Sequence, residues 1–269
     1  MEWRLIVNKD LPGYKQMATD EALYHFAATA KLPVLRLYTW DRPTLSLGYF
    51  QNYKSVVCEP FCVHNNIHVV RRFTGGRAVL HHLEMTYSIA APLDRGTFKD
   101  CSLQETYQLI ARALDLALQN MGVTRAAISF ESDQPNQIKK AQCFVSVSQF
   151  ELAENEKKII GSAQKRSRNA FLQHGSILFD FDLKLQQGCV NNPDPEIEMK
   201  IAPLRAILGE APEFDEVQQS VIEGFEEVLS LKFEEADLEP KELEFAKNLE
   251  SKYQSTDWTR GPLLMKEGD

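Results

Sequence analysis

The chain has 269 residues, 43% hydrophobic and 25% charged, enough for a core that needs no disulfide or metal to hold it. Thirty Lys and Arg against 38 Asp and Glu give a net charge of −8, which excludes a general nucleic-acid binder with its basic footprint. No apolar run approaches the ~18–20 residues that span a bilayer, MEWRLIVNKD has no signal-peptide layout, and the five irregularly spaced cysteines are no disulfide framework. A cytoplasmic globular protein that uses neither membrane nor nucleic acid is expected.

Residues 3–7 (WRLIV) read as a strand, Pro12-Gly13 as a turn and residues 14–30 as a helix. VLRLYTW after Pro33 and TLSLGYF after Pro43 are short β-rich runs bounded by breakers. Residues 67–91 hold three strand-like pieces, IHVVRRF, RAVLH and MTYSIAA, with Gly75-Gly76 as a hairpin or tight-turn signal between the first two. A helix over 103–121 opens on the capping-box spacing of Ser102 and Glu105 and closes at Gly122. Residues 131–142 read as a loop leading to Cys143, then KKIIGSAQKR (157–166) and FLQHGSILFDF (171–181) as strands. After a connecting loop at 186–198, Val217, Val221, Phe225 and Val228 mark one amphipathic helix. Leu243, Ala246, Leu249 and Tyr253 mark another after Pro240. Strands first and helices after predict an α+β protein, with a catalytic domain over 1–210 and a helical C-terminal extension over 211–269 packed on it.

Charge is uneven. Residues 139–168 hold seven basic against three acidic residues, whereas 194–250 hold five basic against 17 acidic. The first stretch is either solvated surface or a patch that docks an acidic partner.

In RRFTGGRAVLHHLEMTYS (71–88), two glycines without a Cβ let backbone N–H groups line an anion or acyl-carbonyl site. Arg71, Arg72 and Arg77 could fork onto phosphate, although no GxxxxGK[ST] loop occurs. Cys143 needs a positive neighbour to be a nucleophile, and Lys158 could supply it; the other reading of Cys143 is a buried small hydrophobe. Cys58, Cys62, His64 and His68 have the composition of a metal cluster but lack the separated second pair of a structural zinc site, so no metal is expected. His81 and His82 would face opposite sides of a strand, so one of them at most enters a site, and His174 is a single candidate.

The runs WRLIVNKDLPGYKQMATDEAL, LRLYTWDRPTLSLGYFQ and RRFTGGRAVLHHLEMTYS resemble the biotin/lipoate protein transferase–ligase superfamily. CFVSVSQFEL, KKIIGSAQKR and LQHGSILFDFD make the chain most similar to its cysteine/lysine octanoyltransferases of lipoate biosynthesis. The resemblance implies a mixed β-sheet flanked by helices. It implies transfer of octanoyl from acyl carrier protein, through a thioester on Cys143, to a lysine of a lipoyl domain. Glycine-cleavage H protein and the E2 component of a 2-oxoacid dehydrogenase carry such domains. Lys158 would lower the Cys143 pKa, and no cofactor is implied, because a thioester is already activated. Thr74, Gly75, Gly76, Arg77 and His81, beside Arg72, match one wall of the acyl pocket. Gly161, Ser162, Ala163, His174 and Gly175 match the other. Three alternatives remain: an ATP-dependent lipoate ligase, an amidotransferase between lipoyl domains, and a non-catalytic lipoyl-domain binder.

Overall fold

The computed structural model describes residues 1–123, 126–128, 152–154 and 157–261. In chain order the first half runs β1 (Glu2–Leu11), α1 (Gly13–Ala27), β2 (Val34–Trp40), β3 (Thr44–Leu47), α2 (Tyr53–Val56), α3 (Glu59–His64), β4 (His68–Arg71), β5 (Val79–His81), β6 (Glu84–Pro92) and α4 (Leu103–Asn120). There follow β7 (Ala126–Ile128), β8 (Leu152–Glu154), β9 (Lys157–Arg166), β10 (Ala170–Leu178), α5 (Leu183–Gly188), α6 (Ile197–Lys200), α7 (Leu204–Leu208), α8 (Phe214–Leu229), β11 (Lys232–Glu235), α9 (Pro240–Gln254) and α10 (Thr256–Arg260).

The large sheet has the order β11-β1-β2-β6-β10-β9-β8-β7. Its β1–β2 and β1–β11 pairs are parallel and the rest antiparallel. Parallel neighbours cannot be joined by a tight turn, and α1 supplies the crossover between β1 and β2. One sheet face packs on α4 and α8 through Leu35, Leu37, Tyr87, Ile89, Phe171 and Ile177. The other face carries α1, with Leu23 and Ala27 set against Val34, Ala90 and Leu172. A small sheet of order β4-β3-β5 stands beside it with its own apolar cluster. The mixed sheet flanked by helices is the architecture the sequence implied.

Local chemistry explains the helices. The Glu105 backbone N–H donates to Ser102 Oγ at 3.2 Å, and Glu105 Oε2 accepts from the Ser102 N–H at 2.6 Å, which closes the predicted capping box of α4. α8 and α9 begin on equivalent boxes, Glu213 with Glu216 and Glu239 with Glu242.

Two expectations need correction. Gly75-Gly76 does not close a hairpin: β4 pairs parallel and β5 antiparallel with β3, so the two flank it rather than each other. The intervening loop is instead wrapped around a buried arginine described below. On α9, Leu243 is 42% exposed while Glu242 is buried. The cause is Arg4 on β1, whose Nη1 and Nη2 each donate to the Glu242 carboxylate at 2.8 Å. Its hydrogen bond to Glu242 raises the Arg4 pKa against the opposing effect of burial.

Glu242→Ala would leave the buried Arg4 guanidinium with no carboxylate nearer than Glu239 at 3.7 Å. A loss of about 3–5 kcal/mol is expected from urea unfolding. The double variant Arg4→Leu/Glu242→Leu should recover much of it, because an apolar pair leaves no stranded charge.

Candidate active site

The site grows out of strand register. β2, β6, β10 and β9 place Arg36, Ser88, His174 and Ala163 in one cross-strand row. Tyr38, Thr86, Ser176 and Gly161 form the next row on the same face. Polar side chains crowd three strands, and the fourth offers only a glycine and an alanine. Space is left at the β9 end, and the small sheet and α1 cover the rest.

That space is a narrow slit of about 30 Å³, room for little more than one water. Its walls include Arg72, His81, Gly161, Ser162, Ala163, His174 and Gly175, all expected from the sequence. A Cβ on Gly175 would meet Tyr87 Cε1 at 2.6 Å and the Gly161 carbonyl at 2.7 Å, so only glycine fits between these strands. Met17, Tyr38, Ser46, Val79, Thr86 and Ser176 also line the slit and were not anticipated.

Arg72, 4% exposed, organises the site. Its guanidinium donates to the backbone carbonyls of Ser46 at 3.0 Å, Gly75 at 2.8 Å and Arg77 at 2.7 Å. These bonds curl the Thr74-Gly75-Gly76-Arg77 loop around it. Gly76 sits at φ +91°, and a Cβ on Gly48 would lie 1.9 Å from the Gly76 carbonyl oxygen, so the two loops touch through backbone. Arg71 beside it turns the other way and donates to the carbonyls of Gly48, Tyr49, Gln51, Trp258 and Thr259 at 2.7–3.1 Å. The phosphate fork expected of Arg71 and Arg72 is therefore corrected: both forks hold the chain's own carbonyls.

Two relays leave Arg72. In the first, Arg72 Nε donates to Thr74 Oγ1 at 3.1 Å, and Thr74 Oγ1 lies 2.7 Å from His174 Nε2. His174 Nδ1 lies 2.9 Å from Asp20 Oδ2. A carboxylate only accepts, so Nδ1 carries the hydrogen, Nε2 is bare and the Thr74 hydroxyl donates to it. Burial lowers the His174 pKa against the pull of Asp20, which keeps this ring neutral. Asp20 also accepts from Arg36 Nη1 at 2.8 Å, Ser88 Oγ at 2.9 Å and Tyr38 OH at 2.9 Å. Burial alone would raise the Asp20 pKa; its partners, His174 first and then Arg36, hold it below the ordinary carboxylate value.

The second relay mirrors the first. Arg72 Nη1 donates to Ser46 Oγ at 3.2 Å, and Ser46 Oγ lies 2.8 Å from His81 Nε2. His81 Nδ1 lies 3.2 Å from Glu84 Oε1. Glu84 also accepts from Thr86 Oγ1 at 2.7 Å and Ser176 Oγ at 2.5 Å.

Lys158, 1% exposed, lies near the start of β9, three residues before Gly161. Cys143, Lys139 and Lys140 lie outside the described residues. Cys62 is packed in the small core, and burial pushes its thiol up to about 11. Among the described residues no group of three His, Cys, Asp or Glu is placed to hold a metal ion, Cys58, His64 and His68 included.

Comparison with known proteins gives this arrangement a family. The lipoyl protein ligase A/B catalytic domain matches residues 12–226, and the chain belongs to that family. The octanoyltransferase LipM of Clostridioides difficile (strain 630) is 34% identical over 268 residues, covering 96% of this chain and 98% of its own. That of Bacillus subtilis (strain 168) is 33% identical, covering 95% and 97%. Among solved structures, a lipoate-protein ligase A bound with ATP superposes with a TM-score of 0.83 at 26% identity, over 98% of this chain and 100% of that one. A putative lipoate protein ligase from T. acidophilum with bound lipoic acid does so with the same figures. With relatives of this kind along nearly its whole length, the chain is an acyltransferase.

A histidine buried neutral binds its proton less readily folded than unfolded. Stability from His174 is thus present above its unfolded pKa of ~6.5 and is lost as pH falls below it, by up to about 1.4 kcal/mol per pH unit. Urea unfolding from pH 7.5 to 5 should show wild type losing more stability than His174→Gln. His68 and His82, whose pKa values burial also lowers, remain in both proteins and cancel in the difference.

Proposed function

We propose that the chain is a protein N-octanoyltransferase of lipoate biosynthesis. It takes octanoyl from acyl carrier protein onto Cys143 and passes it to a lysine of a lipoyl domain, such as that of glycine-cleavage H protein or of a 2-oxoacid dehydrogenase E2. The observation that carries this reading is one strand: β9 bears buried Lys158 and then the small Gly161-Ser162-Ala163 wall of the slit, in a chain whose relatives are octanoyltransferases. Octanoyl is the lipoyl group without its two sulfurs, and the T. acidophilum ligase structure of the same fold holds lipoic acid.

The Cys143 thiolate attacks the carbonyl carbon of the carrier thioester, and the tetrahedral adduct collapses with loss of the carrier thiolate. Lys158 keeps Cys143 ionised, and backbone N–H groups about Gly75-Gly76 receive the oxyanion. The acceptor lysine then attacks as a neutral amine. A C–N bond forms, the C–S bond to Cys143 breaks, and the amine's extra proton goes to solvent or to the departing thiolate. No ATP enters, because the thioester supplies the activation. Residues 1–210 hold every group named, and α8 and α10 of the 211–269 extension buttress them.

Seating an eight-carbon chain requires the walls of so narrow a slit to part. The glycine loop beside the slit gives way, since Gly76 stands next to Ala163 of the wall and the space about Gly75 is open within 4 Å of where a Cβ would stand.

Intact-protein mass spectrometry after mixing with octanoyl-carrier protein, without ATP, should show one octanoyl adduct. It should be removed by hydroxylamine, lost in Cys143→Ala and discharged onto H protein. An adduct-free protein that instead adenylates octanoate with ATP would be a ligase. A free thiol is only a few per cent thiolate at pH 7, so Lys158→Met should slow loading by ~30-fold at pH 7 and far less at pH 9. Charge reversal at Lys139 and Lys140 should raise KM for the carrier and flatten its salt dependence with kcat held. An unchanged KM removes the docking role from residues 139–168.

A further inference from the structure

Behind one wall of the slit lies a second, wider cleft of about 340 Å³, bordered by Thr39, Trp40, Asp41, His82, Leu83 and Phe179. His81 borders both spaces. Trp40 borders the cleft, and its ring covers His81 as a near-parallel stack, centroids 4.1 Å apart and planes 21° apart. It also meets the ring of Tyr38, centroids 5.7 Å and planes 53° apart, and Tyr38 lines the slit. Trp40 Nε1 donates to Thr86 Oγ1 at 3.0 Å, which pins the indole to the Glu84 relay.

We propose that Trp40, acting through His81, sets the longest acyl chain the pocket accepts. The inference rests on the acyltransfer reading above and deepens it. The slit has two kinds of wall. The Gly161–Ala163 side, with Gly76 of the glycine loop standing next to Ala163, is small and yields to an entering chain. The Tyr38 and His81 side is backed by the Trp40 ring, and each of the three rings is tied by a hydrogen bond from its polar edge to a buried group, so this side does not yield. A chain too long for the first wall's give meets the second. With the indole removed, the slit would open beside His81 into the cleft, and further methylenes would find room there.

The test compares wild type with Trp40→Ala, Trp40→Leu and Trp40→Phe. Loading by octanoyl- and dodecanoyl-carrier protein is read as the ratio of kcat/KM values, with octanoate and dodecanoate binding measured in parallel. Each methylene that gains an apolar seat is worth roughly fourfold. The dodecanoyl-to-octanoyl ratio should therefore rise at least about tenfold in Trp40→Ala. It should rise less in Trp40→Leu and least in Trp40→Phe. Damage to the fold would lower both rates together and leave the ratio alone, and the milder variants carry the test where Trp40→Ala does not fold. An unchanged ratio in variants that still load octanoyl overturns the role of Trp40 and leaves the acyltransferase standing. A wild-type chain that neither loads nor binds octanoyl overturns the acyltransfer reading, and this inference with it.

Discussion

A cation with almost no access to water must be met on every side by acceptors, and at Arg72 this single demand shapes the site. Three backbone carbonyls and two hydroxyls converge on it. The carbonyls bend the glycine loop, and the hydroxyls have their donation set. Having accepted from Arg72, Thr74 donates onward to His174 and Ser46 bonds to His81, and each histidine bonds to a carboxylate. Hydrogen bonds thereby run outward from one guanidinium to Asp20 and to Glu84. The polar groups of the wall are satisfied among themselves. An acyl chain can lie against such a wall without stranding a donor or acceptor, which is how a slit with so many polar side chains can suit an apolar ligand.

Much of this was legible in the sequence, for physical reasons that differ by region. Ser102 with Glu105, and the 3.6-residue spacing of Val217, Val221 and Phe225, are local signals, and α4 and α8 follow them closely. Arg72, His81, Gly161, Ser162, Ala163, His174 and Gly175, named through a family resemblance, line one slit, whereas Thr74, Gly75, Gly76 and Arg77 stand outside its lining. The polar row behind them was missed. Arg36 and Tyr38, Thr86 and Ser88, and His174 and Ser176 each recur at a spacing of two within runs dominated by apolar residues. That pattern marks a polar stripe on a sheet face, and Gln16 and Asp20, one helical turn apart, are the stripe on α1 that meets it. Which strand sits beside which depends on long-range pairing, so no window of sequence could put Arg36 beside Ser88 and His174. The hairpin expected at Gly75-Gly76 failed for a related reason. The turn signal was read locally, whereas the loop's path is dictated by an arginine bonding to it from within the fold.

Arg71 and Arg72 are neighbours with opposite tasks, because successive residues of an extended chain face opposite sides. Arg72 serves the slit. Arg71 binds the carbonyls of Trp258 and Thr259 on α10, and Trp258 Nε1 donates back to the Arg71 carbonyl at 2.9 Å. The same guanidinium holds Gly48, Tyr49 and Gln51, and the Tyr49 N–H donates to the Thr74 carbonyl at 2.8 Å. The C-terminal segment thus reaches the glycine loop through two consecutive sets of hydrogen bonds. Through Glu242 it also reaches β1, and through β11 it extends the large sheet.

An acyltransferase has to admit a flexible chain and yet hold its carbonyl in one place. Stiffness and give must therefore be assigned to different walls. Here the stiff elements, the Asp20 and Glu84 relays and the rings of Tyr38, Trp40 and His81, belong to the sheet face and to α1, where each polar edge is already bonded. The compliant element is the loop through Gly75 and Gly76, which has no side chains to pack and is anchored by Arg72 only through its carbonyls. Arg72 engages the loop's carbonyls and leaves its backbone N–H groups out of that anchor, the kind of donor that the oxyanion of the proposed reaction would need. One arginine thus holds both the glycine loop and, through Thr74 and Ser46, the two histidines that line the slit.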